Sequence, residues 1–442
     1  MKHTPSYDIA TLGGGLAGLT AALIAARAGL AVAIFEKASH LGGRATTQET
    51  GGFYFNQGPH ALYRAGHGAR ILKELGITYA GHRASYEGSW VLHQGQRHPL
   101  PGTPEKIQSS AFLSTAAKAE LLALQSKLMS GSYPTADWQT RTAREWLDTQ
   151  ITQPELRALM QGQMRLATYC GDFDRLSAGA ALEQMIVASQ AGVDYLDGGW
   201  QTLVAALETA VIEAGATLHA RHAVTGLEFQ TNQTVLHFTE GASYTARTVI
   251  STLPPAAIAR LAGDQMAPSL QRWAETLTPV HAACLDVALD HLPVKDYQFA
   301  IGLHQPLYYS VHTRSARLAP EGGSLIQVAK YLKAEDEENG SALRSELEAL
   351  MDTFQPGWRQ ATVHQRFLPR MLVTHAIVSP AGRPPVTVPE LPKLHLAGDW
   401  VGRQGMLVDA SLASARAAAH SALDSVATSR HSEMTAPALL TA

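Results

Sequence analysis

Residues 12–37, "LGGGLAGLTAALIAARAGLAVAIFEK", narrow the possible folds more than any other stretch of the chain. Between Leu16 and Phe35 the only charge is Arg27. Such a run suits either a membrane span or a strand, turn and helix buried against a sheet. The glycines decide between them. Gly13, Gly15 and Gly18 make G-x-G-x-x-G directly after "YDIATL", which predicts a buried strand. The spacing predicts a helix over 16–28 that Gly29 stops, followed by a second strand, "LAVAIF". This is a βαβ unit in which small residues let the backbone approach a pyrophosphate at the helix N-terminus. Glu36 closes the second strand about twenty residues past the turn, where a carboxylate accepts hydrogen bonds from ribose hydroxyls. A helix packed on a sheet is apolar nearly all round, so the hydropathy requires no lipid.

The chain has 442 residues and 45% hydrophobic content, enough for an ample core in two or three lobes. Its net charge is −3, and no basic tract interleaved with aromatics occurs, which argues against nucleic acid as a partner. Cys170 and Cys284 are the only cysteines, so the chain is read as belonging to a reducing compartment with both thiols buried and inert. The first strand begins almost at the N-terminus with no signal peptide before it, and no other segment approaches the length of a transmembrane helix. A soluble cytoplasmic protein is expected, with 429–442 as a flexible tail.

Five further stretches follow. "LGGRATT" offers a tight turn at Gly42-Gly43 and a cation, Arg44, near the expected phosphates. The next element, "GGFYFNQGPHALY", predicts a short hairpin-like strand and a Gly-Pro turn. Downstream, "DYLDGGWQTLVAALETAVIEAGATLHARHAVTGLEF" reads as a helix after Gly198-Gly199, then two strands; "ARTVISTLPP" adds another. Near the C-terminus, "KLHLAGDWVGRQGMLVDASLASARAAAHSAL" reads as strand, Gly-Asp turn and long alanine-rich helix.

In order and spacing these blocks resemble the FAD-binding amine oxidase and phytoene desaturase superfamily, flavoproteins of the glutathione-reductase type. The resemblance implies an α/β fold. A Rossmann-type FAD-binding domain would be assembled from discontinuous segments, about 1–80, 190–265 and 385–428. An inserted α+β substrate domain would occupy 80–190 and 265–385. It also implies that Gly13, Gly15 and Gly18 hold the pyrophosphate with backbone N–H groups of Leu16 and Ala17. Glu36 would bind the adenosine ribose, Lys37 would lie beside the adenine, and Val224 would read its edge through the main chain. Gly43 and Arg44 would contact phosphate or ribityl. Gly398-Asp399 would bind the ribityl chain or pyrophosphate. Gly58, Pro59 and His60, with Gly405, Met406 and Leu407, would border the isoalloxazine. An NAD enzyme shares the first motif, but its nucleotide domain normally completes itself in one contiguous half-chain. The C-terminal return element therefore favours a resident FAD, held non-covalently because no cysteine lies near the C-terminal block.

Flavins supply the hydride chemistry, so the protein has to place a C–H bond and manage one proton. No G-x-S-x-G with partners and no H-E-x-x-H occurs, and no metal site is expected. His60 is the candidate catalytic residue, able to move a proton or to hydrogen-bond the ring. Its competing reading is a histidine tied to a backbone carbonyl in a turn. His219 and His222, three apart in one strand, are expected on opposite faces and structural. Trp400 is expected to pack beneath the last helix. Tyr308 and Tyr309 are candidate substrate contacts on an alternating segment, one toward a cavity and its neighbour toward the core. The segment "STAAKAELLALQSKLM" has a helical apolar face suited to core, pocket lid or peripheral contact with a membrane surface.

Three functions compete. The first is a flavin oxidoreductase acting at carbon of a small apolar organic substrate, desaturase-like and of isoprenoid or polyene type. The second is an amine or amino-acid oxidase. The third is a redox-neutral isomerase or a non-catalytic flavoprotein. Many amine oxidases of the superfamily place a lysine near the flavin, and here the matching segment, "VHAACLDVAL", carries Ala282, Ala283 and Cys284. Lys330 is the nearby strand lysine and is expected to face solvent. These residues favour the first reading and leave the electron acceptor open.

Overall fold

The alternation read from the N-terminal motif becomes two parallel strands, Ser6–Leu12 and Val32–Glu36, joined by the helix Leu16–Arg27. The computed structural model describes residues 5–435 apart from 86, 240, 337 and 338. Gly29, at φ +81°, takes the left-handed turn after the helix that residues with a Cβ rarely adopt. Thr217–Ala220 pairs parallel to Val32–Glu36, and Ser243–Ser251 pairs parallel to Ser6–Leu12. The C-terminal end of Ser243–Ser251 also pairs with Leu391–Leu396, and its N-terminal end with Thr234–Phe238. Three distant chain segments thus make one eight-stranded sheet. Leu19 and Leu23 of the first helix share a core with Leu203 and Leu207 of the helix Gln201–Glu213, and with Leu412 and Ala419 of the helix Leu407–Thr435. On another side, Ile258 and Trp273, from helices Pro255–Ala262 and Pro268–Thr276, pack with Phe35, Leu236 and the fully buried Trp400.

A second, seven-stranded sheet runs in the order Thr362–Thr374, Val280–Leu289, Ser324–Leu332, Leu307–Val311, Phe299–Gly302, Ser89–His93, Gln96–Pro99. Its pairings are antiparallel except between Phe299–Gly302 and Ser89–His93. Successive side chains on a strand point to opposite faces. Ala283, Leu285 and Val287 therefore meet Leu347 and Met351 of the helix Gly340–Phe354, while Cys284 clusters with Tyr308, Ala329 and Tyr331 on the opposite face. Helices Thr115–Met129, Ala143–Gln150, Pro154–Thr168 and Ala178–Ala191 form a third core. The apolar face of Thr115–Met129, through Ala117, Leu121, Leu124 and Leu128, is buried in that core, so this face is spent on neighbouring helices. Among the described residues no helix is long and apolar enough to cross a membrane.

Two expectations are corrected. The last helix does not give way to an irregular tail at 429 but continues to Thr435, where Ser429 bonds back to Ser425 and Arg430 reaches Asp8 at 2.8 Å. Residues 436–442 of the expected tail lie outside the described residues. His222 is not in the strand with His219: the strand ends at Ala220, Arg221 turns at φ +59°, and the two imidazoles come within 5.1 Å of each other. Alternation holds only while the backbone stays extended.

One buried acid gives the fold a pH dependence. Asp409, 1% exposed in the first turn of the last helix, accepts from Gly68 N at 2.7 Å. Burial pushes its carboxyl up to about 6. The folded state therefore holds a proton that the unfolded chain releases, and stability falls as pH rises from about 4 to 6. The penalty present above pH 6 is roughly 3 kcal/mol at 1.36 kcal/mol per unit. Asp409→Asn is expected to remove that fall, read as the difference in urea midpoint between variant and wild type at pH 4.5 and 7. A constant difference across this window refutes the assignment.

Candidate active site

The strand ends and the first helix border a cavity of about 480 Å³. The three motif glycines play different physical parts in it. Gly13 turns at φ +99°, and Gly18 sits so tightly that a Cβ would lie 1.9 Å from Gly13 O. Gly15 opens on the cavity instead, and a methyl there would find Gly42 O its nearest neighbour, at 3.8 Å. That is room for ligand atoms against backbone N–H groups at a helix N-terminus. Both Glu36 carboxylate oxygens accept backbone N–H groups at 2.8 Å, from Gly14 and Ala38. Each oxygen keeps a second acceptor direction, and the side chain lines the cavity.

At the other end, Asp399 is 2% exposed beside Gly398, which turns at φ +133°. Arg44 donates to Asp399 Oδ2 at 2.5 Å and to Val373 O at 2.6 Å, while His375 Nδ1 lies 3.2 Å from Asp399 Oδ1. Burial alone would push the Asp399 carboxyl up. The Arg44 guanidinium and His375 outweigh it and hold the group well below the usual carboxylate range.

His60 Nδ1 lies 2.9 Å from Gly58 O, and its ring stands edge-on to Trp200 at 5.0 Å. Burial pushes its pKa down, so the ring is neutral at pH 7. The loop that carries it is anchored from below. Asp286, fully buried, takes hydrogen bonds from Arg366, from Gln327 at 2.9 Å and from Cys284 Sγ at 3.2 Å. Arg366 in turn donates to Asn56 O, just before Gly58.

Of the sequence-derived residues, the cavity brings together Gly13, Gly15, Leu16, Ala17, Glu36 and Lys37 at one end. Gly43, Arg44, Pro59, His60, Val224, Gly398, Asp399 and Leu407 complete its wall. Gly18 packs under the turn, and Gly58 lies behind it against Met371 and Cys284. Gly405 backs onto Asp409, and Met406 is buried in the helical core. Tyr309 faces the helix-covered side, its ring stacked on Phe354 at 5.0 Å, and is a packing residue. Tyr308 is on the opposite face at 1% exposure, bonded to His312 Nε2 at 3.0 Å, one layer behind the cavity wall. Lys330 is not solvent-facing as expected: its side chain pairs with Glu346 at 2.8 Å on the helix-covered face.

Several cavity residues carry no sequence motif that announces them. Trp200 is 3% exposed, lines the wall, and its Nε1 has no partner among the described residues. Its position after Gly198-Gly199 was the available signal. His375, Met371 and Tyr169 are brought in by strand and helix ends with no local motif. Tyr169 and Leu407 both hold φ +55°, a left-handed conformation costly for such side chains, and both line the cavity. The orphaned indole N–H, the open glycine cradle and the Asp399–Arg44 pair fit a ligand with a pyrophosphate, sugar hydroxyls and a flat heteroaromatic ring.

A family model for flavin containing amine oxidoreductase matches residues 16–423, and the chain belongs to that family. Its fold is that of an oxidoreductase from Methanosarcina mazei, at TM-score 0.75 and 21% identity over 92% of this chain and 99% of that one. A putrescine oxidase solved with putrescine bound is similar at TM-score 0.73 and 16% identity, over 96% of this chain and all of that one (100%). Among curated relatives, a 4,4'-diaponeurosporene oxygenase of Staphylococcus aureus is 23% identical over 330 residues, 66% of this chain and 65% of that protein. The chain thus spans just under two thirds of that relative.

Removing an acceptor from either end of the cavity is expected to weaken cofactor retention. Glu36→Ala and Asp399→Ala each lose charge-assisted hydrogen bonds worth about 1.5–3 kcal/mol. Retention is measured as flavin left on the folded protein after dialysis, and retention equal to wild type in both variants rejects the two assignments.

Proposed function

We propose that the chain binds one FAD non-covalently and oxidises or reduces carbon in an apolar organic substrate of polyene or isoprenoid type. A flavin bound in the cavity supplies the hydride-transfer chemistry. The chain's own residues do the rest. The glycine turn and Glu36 hold the nucleotide end, Arg44 and Asp399 fix the centre, and Trp200 offers its indole N–H to an acceptor. Tyr169, Met371, Val373 and Leu407 give the far wall an apolar surface that excludes water. His60, neutral and tied to Gly58, is the group placed to take or give the proton.

The observation that carries the substrate class is the composition of the strand Val280–Leu289, which lies one layer behind the cavity wall. On the face turned toward the wall residue Met371 it carries a fully buried thiol, Cys284, which donates to Asp286, and Lys330 is committed to Glu346 on the opposite face. Among the described residues of that strand, no cation stands where an amine-oxidising member of the superfamily is expected to keep one. A cytoplasmic location accords with two unpaired buried cysteines, the Cys170 thiol pushed up to about 12 by burial.

The test is anaerobic. Purified yellow protein is mixed with polyenes or with simple primary amines, and loss of flavin absorbance is followed. Bleaching by a polyene, without peroxide formation from amines on admitting air, is the expected result. Steady peroxide from a primary amine, at rates typical of an enzyme's own substrate, overturns the proposal. Flavin that stays with acid-precipitated protein overturns non-covalent binding.

A further inference from the structure

Two hydrogen-bond donors beside the apolar wall are buried without acceptors, and the function above uses neither. Tyr331 is 2% exposed, and its hydroxyl has no partner among the described residues. Arg165 is 6% exposed, and its Nε is likewise unpartnered among them. One terminal nitrogen of Arg165 donates to Gly302 O at 3.1 Å and Leu303 O at 2.6 Å, and the guanidinium carbon lies 5.7 Å from the Phe173 ring centre. Carbonyls and a ring face give it dipoles, and among the described residues no ion pair reaches it. The ionisable group that acts on it is the Tyr331 phenol, not a carboxylate. Burial pushes Arg165 down to about 10, so it is still a cation at neutral pH. A buried donor without an acceptor costs about 1–3 kcal/mol, and an uncompensated buried charge costs more. A fold that buries both within each other's electrostatic reach is short of one anion.

The pair adjoins the cavity through Tyr169. Arg165 sits one helical turn before it, and Tyr169 N–H donates to Arg165 O at 2.8 Å. The Tyr169 ring stands edge-on to Tyr331 at 6.1 Å while also lining the cavity. Tyr331 belongs to the same apolar cluster as the wall residues Met371, Val373 and Leu407. We propose that Arg165 and Tyr331 form a subsite for the carboxylate end of the substrate, an apolar carbon chain that passes Tyr169 and presents its other end to the cofactor. The subsite rests on the carbon-substrate reading above for what happens at that other end. A carboxylate meets both needs: two acceptor oxygens for an N–H and an O–H, and the missing negative charge. A hydrocarbon leaves both donors unmet, an ester supplies no charge, and an ammonium group is repelled.

Equilibrium dialysis of the flavin-loaded protein against oleate and all-trans-retinoate, each compared with its methyl ester, tests this without turnover. The free acids are expected to bind at least about 10-fold more tightly, the equivalent of one charge-assisted hydrogen bond. Arg165→Met is expected to erase the preference, and Tyr331→Phe to reduce acid affinity about 3- to 10-fold with ester affinity unchanged. Should Arg165→Met not fold, Tyr331→Phe, which keeps the ring, decides alone. Equal affinity of wild type for acids and esters, no binding of either acid, or a preference that survives Tyr331→Phe undiminished overturns the subsite. A preserved acid preference with no bleaching by any carbon substrate sinks the redox proposal and leaves the subsite standing. Bleaching by hydrocarbons without acid preference does the reverse.

Discussion

Turnover of the His60→Ala variant is expected to fall by roughly 10²–10⁴-fold while flavin stays bound, the loss associated with removing a positioned proton-transfer group. The geometry makes this a clean comparison. His60 is fixed through Nδ1 to Gly58 O, so its removal leaves the loop's anchorage through Asn56 and Arg366 in place. The end of the cavity at Gly15 and Glu36 is likewise untouched. Burial lowers the imidazole pKa, so the neutral ring persists from neutral pH to below its ordinary value. The acid limb of the wild-type rate profile is therefore expected below about pH 6.5, and the variant is expected to lack it. Unchanged turnover and an unchanged profile return His60 to a turn residue held by a carbonyl.

Gly18→Ala is expected to be the most disruptive single methyl in the chain. The added carbon would sit 1.9 Å from Gly13 O, a backbone atom that moves only with the whole turn. Pushing helix from strand costs about 1–3 kcal/mol by overpacking and opens the cradle proposed for the cofactor. The informative control is Gly15→Ala. Its new methyl meets nothing nearer than 3.8 Å and its φ of −77° suits alanine, so the fold is expected to survive while the pyrophosphate loses its space. Gly18→Ala should give a lower urea midpoint and colourless protein; Gly15→Ala should give a near-native midpoint and colourless protein. A yellow Gly15→Ala variant rejects the placement of the pyrophosphate at that glycine.

The N-terminal βαβ unit was legible because its signals are local. Glycine spacing, a strand of apolar residues and an acid at its end all lie within one βαβ unit, and the fold of Gly13 to Glu36 follows them. Asp399 was legible because a strand and a Gly-Asp turn precede a helix. Tyr169, Met371 and His375 were not, since each reaches the cavity by a tertiary contact with no periodicity to announce it. The Tyr308-Tyr309 pair shows the limit from within: alternation said that the two face opposite ways, but only the packing of Phe354 on Tyr309 says which. His222 was misjudged because one left-handed residue, Arg221, ended the strand that the alternation assumed.

The Arg44–Asp399 ion pair joins side chains 355 positions apart. On a ribosome that separation becomes time. The first βαβ unit emerges well before the strand Leu391–Leu396, which leads into Asp399, has been made. The Arg44–Asp399 pair can therefore form only once residue 399 has been added, so the cavity proposed to hold the cofactor stays incomplete until then. Chains arrested before residue 391 are therefore expected to retain no flavin, which the absorbance of stalled complexes checks.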